Sequence, residues 1–428
     1  MKILIKNANL ISMAEKQEQV LKDVDILIQD DEIIKIQNNI LDEADKTINA
    51  KNKVVLPGFV NAHTHLPMSV FRDTLEGYNL QDWLNKKIWP AEDKLTNEDI
   101  YNATMLSCIE AIKTGTTTIQ DHYFKTEEII KAGLDTGLRM DVTRVLMDID
   151  NDLETRKQEL LNLMEEYQNK YSTIRINVGI HGLYTSTSKA VEEAISIAEQ
   201  NKLNIHMHFC ENQKEVEDIK NMYNVKTPAE VLNKYFTKTK NVLAHCVKLT
   251  KEEINAISKT HSSVVHCPVS NLKLGCGIAP IVELQENGVN VALGTDGQGS
   301  GSSLDMFETM KYASLLQKGI NENPKEMTAY ETLKMATING AKALGLEEKI
   351  GSIEVGKKAD IIIVELENIV NQPINDIVSN IVYNAKGSNV NTTIINGKIV
   401  MENRKVLNCN EEDIYEKCQK IAERILQD

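Results

Sequence analysis

Apolar and polar residues alternate in short runs at the start of the chain. Ile3 and Ile5, then Val24, Ile26 and Ile28, are separated by polar neighbours, and Ile33-Ile34-Lys35-Ile36 follows an Asp-Asp pair. Side chains of a strand point alternately to its two faces, so this two-residue period predicts strands up to about residue 56. The other end has the same texture. Gly356-Lys357-Lys358-Ala359-Asp360 leads into Ile361-Ile362-Ile363-Val364, and the run 393–400 carries an Asn396-Gly397 pair that predicts a hairpin. Both ends are expected to pair into one small β-sandwich domain, residues 1–56 and 348–410, with a surface helix over 411–428.

Between residues 57 and 347 the pattern changes to strand-like runs separated by amphipathic ones. Strands are predicted at 116–120, 174–180, 203–209, 242–245, 263–266 and 289–293, besides the run that ends near residue 65, with helices such as 96–113, 189–201 and 251–259 between them. Repeated βα units of this number predict an α/β fold, a (β/α)8 TIM-like barrel. No glycine-rich nucleotide fingerprint follows a strand, which argues against a doubly wound dinucleotide-binding sheet.

Composition narrows the partners. The formal charge of −14 is spread along the chain, whereas nucleic acid and anionic membrane both want a basic face. The seven cysteines form no CxxC pair, as expected of reduced thiols in a cytoplasm. The N-terminal run Met1-Lys2-Ile3-Leu4-Ile5-Lys6 lacks a signal-type apolar core, and no apolar run approaches bilayer length. A soluble cytoplasmic protein is expected.

Chemistry enters at Pro57-Gly58-Phe59-Val60-Asn61-Ala62-His63-Thr64-His65. His63 and His65 share one face of a strand end, and two such imidazoles make half a metal site. Functional groups of a barrel sit at the C-terminal ends of its strands, so the other half is sought there. In Ile205-His206-Met207-His208-Phe209, His208 lies nearer the strand end and His206 is expected to be buried beneath it. Val242-Leu243-Ala244-His245 ends in a histidine, and Ala292-Leu293-Gly294-Thr295-Asp296 ends in an aspartate whose face also carries the small residues Ala292 and Gly294. His63, His65, His208 and Asp296 are the expected ligands of one divalent metal. Mixed imidazole and carboxylate ligation suits Zn(2+) and also admits Fe(2+) or Mn(2+).

Taken together, the first histidine pair, His208-Phe209-Cys210-Glu211, His245, His266-Cys267-Pro268-Val269-Ser270-Asn271 and Gly294-Thr295-Asp296-Gly297 resemble the signature set of the amidohydrolase superfamily. The likeness covers nearly the whole chain and is strongest toward the branch that deaminates 5-methylthioadenosine and S-adenosylhomocysteine. It implies hydrolytic loss of ammonia from an adenosine-type nucleoside, without an organic cofactor. The middle strand Ile176-Asn177-Val178-Gly179-Ile180-His181 has no lysine to bridge a second metal, so one ion is expected. Glu211, His245 and Asp296 are the implied catalytic residues: His245 and Asp296 handle the attacking water, and Glu211 protonates the ring nitrogen.

The same resemblance implies that Glu92, in Trp89-Pro90-Ala91-Glu92, accepts hydrogen bonds from the ribose diol, and that His181 contacts ribose or purine. Arg144 and Arg156 are candidates for a homocysteine carboxylate, Glu211 also touches the ring, and Ser300 is a minor contact. The loop Gln298-Gly299-Ser300-Gly301 is more glycine-rich than the family pattern. His122, His261 and Cys267 are read as structural. The implied partner is a small-molecule nucleoside, in a homo-oligomer. A deaminase of a free base such as guanine, or a ring chlorohydrolase, is the rival; neither needs Glu92 or the two arginines. A non-catalytic relative would have lost ligands, and here every ligand position is filled.

Overall fold

The computed structural model describes residues 1–15 and 19–426. Eight strands follow one another as parallel neighbours: β1 Phe59–Thr64, β2 Thr116–Tyr123, β3 Arg139–Leu146, β4 Ile174–Gly182, β5 Ile205–Phe209, β6 Asn241–His245, β7 Ser263–His266 and β8 Val291–Leu293. Helices between them pack outside, for example Asn97–Lys113, whose first turn is closed by a reciprocal capping box between Thr96 and Asp99. The expected barrel is the one observed. β3 is an addition to the predicted set. Its sequence alternates Arg139, Asp141 and Thr143 with apolar residues and reads as half-exposed, yet all eight of its residues are buried.

The barrel closes between β8 and β1 by side chains and turns rather than by a ladder. The Asn61 carboxamide donates to Thr295 Oγ1 (2.7 Å), Thr295 N donates to Asn61 Oδ1 (3.1 Å), and Asp296 N donates to the His63 carbonyl (3.1 Å). Gly294 is needed at this seam. A Cβ there would lie 2.8 Å from Val265 Cγ1 and 2.9 Å from His63 Cβ. The small residue permits a close approach of strands; it does not open room inside the barrel.

The two chain ends share a separate mixed sheet of nine strands. Its join is the antiparallel pairing of Lys53–Pro57 with Ile361–Glu365, five residues on each side in register. The predicted Asn-Gly turn connects Val390–Ile395 to Lys398–Glu402. Isoleucines of the first strands and of Ile361–Glu365 form a core of their own, including Ile3, Ile5, Ile26, Ile28, Ile361 and Ile363. The amphipathic helix Glu411–Leu426 follows and buries Ile414, Cys418, Ile421 and Ile425.

Candidate metal and active site

The end of β1 is fixed from its neighbour. Thr64 Oγ1 donates to the Gln120 carbonyl (2.8 Å), and Leu66 N donates to Asp121 Oδ1 (2.7 Å), so the histidine pair leaves the barrel in a set direction. Each imidazole is then turned by its Nδ1. His65 Nδ1 donates to the His122 carbonyl (2.6 Å) and His208 Nδ1 to the His181 carbonyl (2.6 Å). A carbonyl only accepts, so both rings carry their hydrogen on Nδ1 when neutral. Burial, with the neighbouring imidazoles, lowers the pKa of His63 and His208 well below the ordinary value; burial also lowers His65, against the pull of Asp296.

The bare Nε2 atoms consequently face one another. His65 Nε2 and His208 Nε2 are 3.2 Å apart with no hydrogen between them. His63 Nδ1 lies 2.8 Å from His206 Nε2 beneath it, and its own buried Nε2 has no hydrogen-bond partner. Asp296 Oδ1 stands 3.2 Å from His65 Nε2 and 3.7 Å from His63 Nε2. Burial pushes the Asp296 carboxyl up, but His65, His245 and hydrogen bonds from Ser270 (2.6 Å) and Ser300 (2.7 Å) outweigh it and hold the group below its ordinary value. Converging lone pairs and a carboxylate repel unless a cation lies among them. The donor atoms of His63, His65 and His208 all lie within 4.8 Å of one another, and the set fits one divalent metal.

Glu211 and His245 flank this cluster. His245 Nδ1 is 2.9 Å from Asn271 Oδ1 and 3.8 Å from Glu211 Oε1. Burial raises the Glu211 carboxyl, with His245 opposing, while Glu211 and Asp296 raise His245 against its own burial. The Glu211 backbone is anchored too: the Glu215 carboxylate accepts the N–H groups of Cys210 (2.9 Å) and Glu211 (2.7 Å).

One cavity of about 730 Å³, within the usual range for small-molecule sites, opens onto His65, His208, His245, Asp296 and Glu211. Glu92 faces it with Oε1 accepting the Tyr123 hydroxyl (2.5 Å), and enclosure raises its carboxyl to about 7 in spite of that bond. His181 faces it with Nδ1 3.0 Å from Thr185 Oγ1. Arg144 and Arg156 also line it, each already held by an acid, Glu159 and Asp150 respectively. Ser300 lines it with its hydroxyl directed at Asp296. The glycine-rich loop fits here: a Cβ on Gly299 would meet Trp83 Cζ2 at 2.8 Å.

Comparison with known proteins follows the same outline. The Amidohydrolase family model matches residues 54–400. The chain belongs to the amidohydrolase family. Among the relatives of this amidohydrolase, a 5-methylthioadenosine/S-adenosylhomocysteine deaminase of Caldanaerobacter subterraneus subsp. tengcongensis is 40% identical, with 100% of this chain and 99% of that protein covered. A 5'-deoxyadenosine deaminase of Methanobrevibacter smithii is 42% identical, covering 99% and 98%. An adenosine deaminase from Xanthomonas campestris, solved with bound zinc, superposes with a TM-score of 0.94 at 29% identity, covering 99% and 98% of the two chains.

Two residues of the amidohydrolase site, Tyr123 and Glu215, carry no signal in the sequence, and Ser270 and Asn271 lie in the His266–Asn271 motif without an assigned role. The fold sets Tyr123 against Glu92, Glu215 against the Glu211 backbone, Ser270 against Asp296 and Asn271 against His245. His122, read as structural, holds His65 through its carbonyl and also lines the cavity. His261 is exposed and Cys267 is buried.

Proposed function

We propose that this amidohydrolase deaminates adenosine-type nucleosides, the class to which 5'-methylthioadenosine, S-adenosylhomocysteine, 5'-deoxyadenosine and adenosine belong. The observation that carries this reading is the placing of Glu211, beside the converged histidines and Asp296, in one cavity with the Glu92–Tyr123 pair. The first group suits chemistry at a purine ring, and the second offers a carboxylate to a ribose diol. A free base has no use for Glu92.

A divalent metal, zinc by preference with Fe(2+) or Mn(2+) as alternatives, would be held by His63, His65, His208 and Asp296, and would supply Lewis-acid activation of the attacking water. Asp296 and His245 orient that water and take its proton. Glu211, its carboxyl raised by burial, delivers a proton to the ring nitrogen beside the amine-bearing carbon. A carbon–oxygen bond forms, the proton taken from the water passes through Asp296 to the departing amine, the carbon–nitrogen bond breaks with loss of ammonia, and the second proton of the water restores Glu211. Tyr123 keeps Glu92 aimed at the ribose, and His181 closes the neighbouring wall.

The unpaired state of all seven cysteines supports a cytoplasmic location. Tyr312, Leu315 and Ile320, left exposed by the helix Met306–Ile320, support a homo-oligomer.

The test is ammonia release from adenosine, 5'-methylthioadenosine, S-adenosylhomocysteine and guanine by zinc-loaded protein. Turnover of the nucleosides is expected, and turnover of guanine alone overturns the reading. Glu211→Gln should retain its metal by elemental analysis while kcat falls about 10²-fold or more. Near-normal activity in that variant would remove Glu211 from the proton path.

A further inference from the structure

The turn after β5 carries a buried acid that the proposed chemistry leaves unused. Glu215 lies in the first turn of the helix Gln213–Tyr223, where the Asn212 side chain accepts its N–H (2.9 Å). Its carboxylate reaches back along the chain. Oε1 accepts the Cys210 N–H (2.9 Å) and Oε2 accepts the Glu211 N–H (2.7 Å), one oxygen to each. Glu215 is 1% exposed and forms no ion pair with a lysine or arginine among the described residues. Burial, with Glu211 beside it, pushes the carboxyl up to about 7 against those two hydrogen bonds. A buried carboxylate without a cation is costly, and what offsets the cost here is the pair of N–H groups and the helix N-terminus.

Glu211 is held by its backbone far more firmly than by its side chain. The peptide that joins Cys210 to Glu211 is fixed at both ends. Its carbonyl accepts from the N–H groups of Val247 (3.0 Å) and Lys248 (2.8 Å), and its N–H goes to Glu215. Cys210 turns there with φ of 51°, a conformation that persists only where neighbours impose it. The Glu211 carboxylate has weaker ties. Among the described residues its partners are the Cys276 thiol, a weak donor, and His245 Nδ1, each 3.8 Å from Oε1. A carboxyl that gives up and regains a proton is left loosely tied, so its aim is set by the direction in which the backbone leaves β5.

We infer that Glu215 is a positioning residue for the proton step: its carboxylate clamps the Cys210 and Glu211 N–H groups and thereby aims the Glu211 carboxyl at the ring nitrogen. The inference rests on Glu211 as the proton donor of the proposed function, and not on the nucleoside class. Glu215→Gln is nearly isosteric but turns an amide NH2 group toward one of the two N–H groups, so one bond is lost. In the zinc-loaded full chain, well above pH 7, kcat for adenosine should fall about tenfold or more, with KM and zinc content unchanged. Glu215→Asp keeps the charge but draws it back by one methylene. It should lose kcat likewise, and it serves if the amide variant does not fold. A merely structural role would lower stability and leave kcat per folded, zinc-bound enzyme intact. The deciding measurement adds the Glu215 substitution to Glu211→Gln. Residual turnover should then change by less than about twofold, because Glu215 acts only through Glu211. The inference is overturned if either Glu215 variant keeps the wild-type kcat, or if its full loss recurs in the Glu211→Gln background. Near-normal activity of Glu211→Gln removes the proton-donor reading and this inference with it. Should guanine be deaminated in place of adenosine, the nucleoside reading alone falls, and the same comparison is made with guanine.

Discussion

Glu92 shows how a single enclosed carboxyl sets a pH dependence. Its value of about 7, against an ordinary 4.5, comes from enclosure, with the Tyr123 hydroxyl pulling the other way. Below about pH 7 the group is protonated and loses the charge with which, in the proposed function, it would receive a diol. On the acid side, kcat/KM for adenosine should fall about tenfold per pH unit. Glu92→Gln should lower kcat/KM and flatten that limb; a limb that survives unchanged in the variant belongs to another group. The stability sign runs opposite to activity. The folded chain binds this proton more tightly than the unfolded one, so the contribution is complete below 4.5 and is lost as pH rises through about 7. Residues of this kind differ in how far they can be read from sequence. His63, His65, His208 and Asp296 stand at strand ends, where a barrel puts its chemistry, and so announce themselves. Tyr123, Ser270, Asn271 and Glu215 act through partners that only the folded chain brings near.

Among the elements, the strand ends are where the backbone departs most from regular geometry. Cys210, His245 and Asp296 follow or end their strands with φ of 51°, 73° and 63°, a conformation costly for residues that carry a side chain. The turn it produces after β5, at the end of β6 and after β8 re-aims the chain just where Glu211, His245 and Asp296 must converge. Gly294 belongs to the same device, since β8 can reach His63 only without a Cβ there. Gly294→Ala should push His63 away from its partners, weakening zinc binding in a competition titration and costing about 1–3 kcal/mol in denaturant unfolding. Unchanged zinc affinity would show that the seam yields elsewhere. Seven of the eight barrel strands are legible as apolar runs. β3 is not, because its inward charges, Arg139 and Asp141, are satisfied by partners that no local pattern reveals.

At the scale of the molecule, the barrel and the sheet of the chain ends are tied by one buried ion pair. Arg139 at the start of β3 donates from Nε to Asp360 Oδ2 (2.7 Å) and from Nη2 to Asp360 Oδ1 (3.0 Å), and Asp360 also accepts the Asn396 N–H (2.7 Å). Removing one partner leaves a buried charge unpaired. Arg139→Met should destabilise by about 3–5 kcal/mol, and the double variant Arg139→Met with Asp360→Leu by less than either single change, read from urea unfolding. Additive losses would mean that the two groups act independently. The shared origin of that sheet is legible in the matching texture of the two termini, whereas its pairing partners are not, because strand order leaves no periodic trace. The join between Lys53–Pro57 and Ile361–Glu365 also has a consequence in time. On a ribosome adding ~5–20 residues per second, the second strand follows the first by roughly 15–60 s. For that interval the early strand has Lys2–Leu10 on one side and a bare edge on the other. The nascent chain must therefore build its barrel while a sticky strand waits beside it, and the last strands made serve as the cover that ends the exposure.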